Sequence, residues 1–397
     1  MAKRMYTEYA RDRAIQLLSF LGFTFGITVA LLAYVISSYF QKVIESDNVS
    51  GFYIGIFFVI LVSLFKLNRI IERIGRAKTL MILLVVQIGV LFALQFFEIS
   101  WFGAFLLMIY YVLYGIIWVV FDVILEAYSE DSKTGRVRGA YLSVLNLGFL
   151  IGPIISTSLL DIYGFHIIFT ITTILYVFIF LAVFVALNDI RGHVVKKNLS
   201  SRKVFDQFRT NQNLIFVYGA SFALRFFYAT MVIYMPLYLR SIDVSWSEIG
   251  IMFSIMLIPF SIIQYPAGVL ADKKYGEKEM LFIGFIIMAG SLIVMYFLNE
   301  PDFVLWTVVL FVSRIGAALV EAMLDSYFYK QINENDIAII NFFRTTRAVA
   351  YILSSLFIGA LLMIVSDLHI VFIASCIMII FGIIVIIPME DTVPDEK

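Results

Sequence analysis

The sequence predicts an all-α membrane protein of twelve transmembrane helices, arranged as two six-helix bundles related by a parallel repeat. Three observations predict it. The 397-residue chain is 62% hydrophobic and 15% charged, with a mean hydropathy of +0.96, a composition outside the range of water-soluble domains. It reads as a succession of apolar runs close to the roughly 20 residues that a hydrocarbon core about 30 Å thick demands. Finally, similarly spaced acids recur 199 residues apart within the fourth and tenth runs.

The first run, 14–39, is longer than the apolar core of a signal peptide and lacks a small-residue cleavage pattern, so it is expected to stay as a helix. Its Gly22 and Gly26 are spaced for close helix packing. The second run, 51–67, ends in a basic loop holding Glu72, Gly75 and Arg76. A third run covers 80–97. In the fourth, 101–126, helical spacing places Tyr111, Gly115, Trp118, Asp122 and Glu126 on one stripe. The fifth and sixth, 139–160 and 165–187, complete an N-terminal half spanning 1–187.

Residues 188–213 carry six Lys and Arg and read as a cytoplasmic linker whose charge fixes topology. The C-terminal half, 214–397, opens with the seventh run, 214–239, in which Arg225 lies about 16 Å deep at 1.5 Å per residue. The eighth run, 247–270, leads into a loop with Asp272, Lys273 and Gly276. After the ninth, 280–298, the tenth run, 303–329, aligns Arg314, Ala318, Glu321 and Asp325 on one stripe, with Arg314 also near mid-bilayer depth. The eleventh, 339–365, contains Arg344 and Arg347, and the twelfth, 369–388, the only cysteine, Cys376, ahead of a short cytoplasmic tail. One cysteine excludes an intrachain disulfide framework and a cysteine metal cluster.

Lys and Arg outside the runs fall almost wholly on the side of the termini and linker, the exceptions being Lys42 and Arg240. By the positive-inside rule both termini are cytoplasmic. Nothing in this distribution suggests nucleic-acid binding. Asn48 and Ser50 form a glycosylation sequon on the opposite side.

Acids in both halves keep one spacing. Asp122 and Glu126 correspond to Glu321 and Asp325, and Gly51 to Gly250, all at an offset of 199. Intramembrane acids are costly, so such a repeat points to duplicated halves with functional stripes turned inward.

The loop GVLADKKYGEK at 268–278 resembles the signature of the major facilitator superfamily, with one residue inserted before its second glycine and Glu277 at a usually basic position. NRIIERIGRAK at 68–78 is a degenerate copy. Glu126 followed by Arg138 and Gly139 is similar to the acid and Arg-Gly pair of sugar porters. GFLIGPIIS at 148–156 resembles the Gly-Pro motif of drug/proton antiporters. The resemblance implies a central cavity lined by the first, fourth, seventh and tenth helices, and a cytoplasmic gate. For that gate it nominates Glu72, Arg76, Glu126, Arg138, Asp272, Lys273, Asp325 and Arg344.

No phosphate-binding loop or nucleotide-domain-sized segment occurs, which leaves an ion gradient or downhill diffusion as the driving force. The expected function is secondary active transport of a small organic solute, coupled to protons, by a monomer without cofactor or metal in the plasma or inner membrane. Substrate and coupling candidates are Arg225, Arg314, Glu321, Asp122, Trp118, Tyr111 and Arg347. For the arginines the competing reading is internal pairing with Glu321 or Asp122. His166, His193 and His369 lie in loops or at span ends, so Asp122 or Glu321 is expected to carry a coupled proton. An exporter of the drug/proton antiporter type and a non-transporting membrane sensor or scaffold are the alternatives. An enzyme is not expected, because no metal cluster or nucleophile with a histidine base stands within the spans.

Overall fold

The computed structural model describes residues 2–97, 99–128, 134–186, 210–271, 275–332, 337–365 and 367–390, and among them every regular element is a helix. They are α1 Ala2–Ala33, α2 Ile36–Ile44, α3 Ser50–Ile74, α4 Arg76–Leu94, α5 Trp101–Tyr128 and α6 Thr134–Ala186. Then follow α7 Gln212–Ser241, α8 Trp246–Ile262, α9 Gln264–Leu270, α10 Gly276–Phe297, α11 Phe303–Lys330, α12 Ile337–Ile364 and α13 Ile370–Ile386. Nine stretches among the described residues are long and apolar enough to cross a bilayer, and 50–64 and 370–386 are shorter apolar helices. The stretch at 143–185 leaves helical geometry at Gly164, where the sequence places the junction of its fifth and sixth runs.

Local chemistry accounts for the ends and breaks. Ser245 accepts from the Glu248 amide at 3.3 Å while the Glu248 carboxylate accepts from the Ser245 amide at 2.9 Å, a reciprocal capping box that starts α8. Asp302 caps α11 through the Leu305 amide at 2.9 Å, and Asn211 caps α7 through the Asn213 amide at 3.1 Å. Two runs expected to be single helices are interrupted: the first between Ala33 and Ile36, and the eighth at Ile263, three residues before Pro266 and next to Ile262, whose carbonyl would have accepted the missing Pro266 amide hydrogen. Proline has no amide hydrogen for the helix ladder, so a break nearby is a local consequence.

Solvent exposure follows the logic of a bilayer. Large apolar side chains such as Phe297, Met363 and Val185 are exposed, while Thr28, Gln87, Arg314 and Ser355 are buried. Polar groups turn inward because hydrocarbon cannot hydrogen-bond them.

The chain divides into two compact units, 1–45 with 59–195, and 46–58 with 196–397. Within the first, α1 and α6 cross backbone to backbone. A Cβ on Gly148 would lie 2.3 Å from the Phe23 carbonyl oxygen, and one on Gly26 would lie 2.4 Å from that of Leu145. The glycines expected to permit close packing therefore do so: Gly26 meets Gly148 of the Gly-Pro motif, and Gly22 makes room for the Tyr141 ring.

Within the second unit, residues 46–58 pack against α12. Asn48 donates to the Gly359 carbonyl at 3.0 Å, Ser50 donates to Asn48 at 2.5 Å, and Phe57 stacks on Tyr351 at 4.1 Å. The amide nitrogen of the sequon is engaged in this packing, an arrangement that competes with its use as a glycan acceptor.

Candidate functional site

In the second unit α7 and α11 bring opposite charges together near the middle of α7. Arg225 Nη1 lies 2.8 Å from Glu321 Oε1, and the two side chains remain 25% and 22% exposed. One turn along α7 from Arg225, Tyr228 donates its hydroxyl to Glu321 Oε2 at 3.3 Å, and its ring lies 5.5 Å from the Arg225 guanidinium. Residues three apart share a helix face, so Arg225 and Tyr228 hold one carboxylate between them. Asp325, one turn further along α11, and Arg347 on α12 lie close enough to act electrostatically on Arg225.

The other two arginines meet aromatic rings. Arg314 is 2% exposed with its guanidinium 4.9 Å from the Phe227 ring, and Arg347 stands 5.9 Å from Tyr351, whose ring stacks on Phe57. A cation over an aromatic face is favoured by about 0.5–2 kcal/mol, more when desolvated. Phe227 and Tyr228 are consecutive on α7, so adjacent residues of one helix serve Arg314 and Arg225.

In the first unit the expected stripe of α5 divides. Tyr111 is buried and lines a cavity of about 10 Å³ together with Val29, Leu32, Ala33, Tyr110 and Tyr114. That volume suits about one water molecule. Trp118 packs away from it, between Phe25 and Phe149 at 5.9 Å each, and Asp122 is half-buried beside Tyr141. These residues share a helix face but not one cavity.

Of the gate candidates, Arg76 and Arg344 are half-buried and Asp325 is exposed. Asp272 and Lys273 lie outside the described residues, as do the side chains of Glu72, Glu126 and Arg138. The two signature glycines share a backbone requirement, with φ +93 at Gly75 and +75 at Gly276. Glycine adopts this region without the steric penalty of a Cβ, which gives the degenerate loop a physical reason to keep it.

Sequence reasoning missed Glu277. It is fully buried at the start of α10, accepts from Ser326 at 2.8 Å and pairs with Lys330, both on α11. Its signal was the acid standing where the resembled signature is basic. Tyr228 was also missed, although its spacing from Arg225 was visible.

Long apolar helices with exposed apolar faces, and charged pairs turned into the protein, define a multi-pass membrane protein. A family model of the Major Facilitator Superfamily matches residues 17–334 and 217–397, and the chain belongs to that family. An uncharacterized MFS-type transporter from Methanocaldococcus jannaschii is 24% identical over 213 residues, 52% of this chain and 54% of the relative, so the chain spans about half the length of that curated relative in the match. The fold is similar to that of a bacterial homolog of the human lysosomal transporter Spinster, solved inward-facing and unoccupied, with TM-score 0.72, 10% identity and 95% and 96% of the two chains covered. It is also similar to an auto-inhibited POT family peptide transporter, with TM-score 0.74, 10% identity and 97% and 98% covered.

Proposed function

We propose that the protein is a proton-coupled secondary transporter of a small organic solute carrying a negative or strongly polar group, working by alternating access in the plasma membrane as a monomer with cytoplasmic termini. The observation that carries this reading is the Arg225–Glu321 pair, placed within the membrane span yet partly exposed. An anionic solute competing for Arg225 would displace Glu321. A carboxylate stripped of its cation in a poorly solvated site gains affinity for a proton. Solute binding and proton uptake then favour one another, and both are released when Glu321 regains Arg225. Arg314 and Arg347 supply further positive charge on neighbouring helices.

The drug/proton antiporter reading rests on the Gly-Pro motif, whose Gly148 and Gly152 have a sufficient role in packing α6 against α1. It stands second for that reason. Reconstitution into proteoliposomes, with a panel of carboxylates, peptides and amphipathic cations tested with and without a pH gradient, separates the readings. Gradient-dependent accumulation of an anionic or zwitterionic solute is expected. Extrusion of cations would favour the exporter, and no flux for any solute would favour the sensor or scaffold.

A further inference from the structure

At the end of the second unit remote from Asn211, one imidazole joins three segments. His369 directly precedes α13, and its Nδ1 lies 2.7 Å from Asp367 Oδ1, which also accepts the His369 amide at 2.9 Å. On the ring's other edge, Nε2 lies 2.6 Å from Asn299 Oδ1, beyond the end of α10, and 2.9 Å from the Tyr238 hydroxyl of α7. Tyr238 donates its own hydrogen to the Leu298 carbonyl at 2.7 Å. Edge-on contacts with Tyr238 at 4.9 Å, Tyr296 at 6.1 Å and Phe372 at 6.4 Å hold the ring in place. Asp367, Tyr238 and Tyr296 are thus the titratable groups facing it, from its own loop, α7 and α10.

The oxygens around this ring are arranged to accept. A carboxylate and an amide oxygen have no hydrogen to give, and a tyrosine already donating to a carbonyl offers only lone pairs. An imidazolium donates from both nitrogens and matches this shell. A neutral ring has one N–H, so its bare nitrogen faces an acceptor unless Tyr238 abandons Leu298 or the Asn299 amide reverses. Each accommodation gives up or rebuilds a hydrogen bond of the joint.

We propose that His369 is a proton-responsive latch: the protonated ring ties α7, the end of α10 and the start of α13 together, and the neutral ring loosens them. The latch is separate from Arg225 and Glu321, so it regulates the movement of this end of the unit and does not carry the transported proton. That this end samples the external medium rests on the proposed topology; the latch itself does not.

Hydrogen–deuterium exchange of 295–303 and 365–372 in the purified protein, corrected for intrinsic rates between pH 5.5 and 8, tests it. Protection in the wild type should fall at least threefold as pH rises across that interval. His369→Gln should remove that dependence. Asn299→Asp puts a second carboxylate on Nε2 and should move the transition to higher pH, an effect that a merely structural ring would not produce and one that needs no change to His369. A flat wild-type profile, an unchanged profile in His369→Gln, or an unmoved transition in Asn299→Asp overturns the latch. In solubilised protein both faces see one pH, so that result is independent of orientation. Repeating the measurement in sealed vesicles of known orientation while changing the pH on only one side then tests the topology, whose failure would leave the latch standing.

Discussion

Neither neutralising Glu321 nor removing Arg225 strips the remaining group of every partner, because Tyr228 contacts both. In Glu321→Gln the guanidinium keeps the Tyr228 ring and some water, and in Arg225→Ala the carboxylate keeps the Tyr228 hydroxyl. Breaking a fully buried pair costs about 3–5 kcal/mol, but these side chains are nearly a quarter exposed, so solvent screening reduces the expected loss to about 1–2 kcal/mol. Glu321→Gln should therefore unfold only a few degrees below the wild type while losing pH-gradient-driven accumulation and retaining counterflow. Asp122→Asn is the comparison, and a stable Glu321→Gln that still concentrates solute along a proton gradient would remove Glu321 as the carrier. Outside the spans, the His369 amide holds the Asp367 carboxyl below its usual range. Its folded value is depressed, so its contribution to stability is present above the ordinary carboxylate value of about 3.9 and is lost as pH falls through the lower folded value. Asp367→Asn should flatten the acid limb of a thermal-stability profile below about pH 4. The charged members of these sites were legible because a charge inside an apolar run is conspicuous. Tyr228 and the shell of His369 were not, since their roles depend on which helices adjoin.

Helices were legible wherever an apolar run was long, because length and hydrophobicity together specify a span. Their interruptions were not, since the breaks at 34–35 and 263 change no hydropathy; only Pro266, three residues beyond the second, gave a local warning. Glycines illustrate a similar limit: the sequence shows a spacing, whereas the structure shows what each missing Cβ avoids. Gly148→Ala would press a methyl into the Phe23 carbonyl, forcing α1 and α6 apart, while Gly89→Ala on α4 meets no atom within 4 Å. Overpacking costs about 1–3 kcal/mol, and relief of glycine's entropy inside a helix contributes about 0.5–1 kcal/mol. Thermal unfolding should thus place Gly148→Ala below the wild type and Gly89→Ala at or above it. Equal midpoints for the two variants would show that the α1–α6 crossing can open to admit a methyl group without cost.

At the scale of the whole molecule the 199-residue offset was visible as repeated acids, but the grouping of 46–58 with the second unit was not. That grouping comes from Asn48, Ser50 and Phe57 packing on α12, contacts distant in sequence and unmarked by any run. Orientation, by contrast, is an expectation from loop charge that can be tested directly. From Asn211, α7 covers 30 residues, or about 45 Å at 1.5 Å per residue, enough to cross a core of about 30 Å with tilt. The α8–α9 pair returns and α10 crosses again, so Glu300 belongs on the face opposite the linker. With Cys376→Ser removing the only native thiol, Ser200→Cys in the linker and Glu300→Cys provide single reactive sites. A membrane-impermeant maleimide applied to intact cells should label only Glu300→Cys, and applied to inside-out vesicles only Ser200→Cys. The reverse pattern would invert the proposed topology. Labelling of both from one face would mean that the number of crossings between them is even, contradicting the path of α7 to α10.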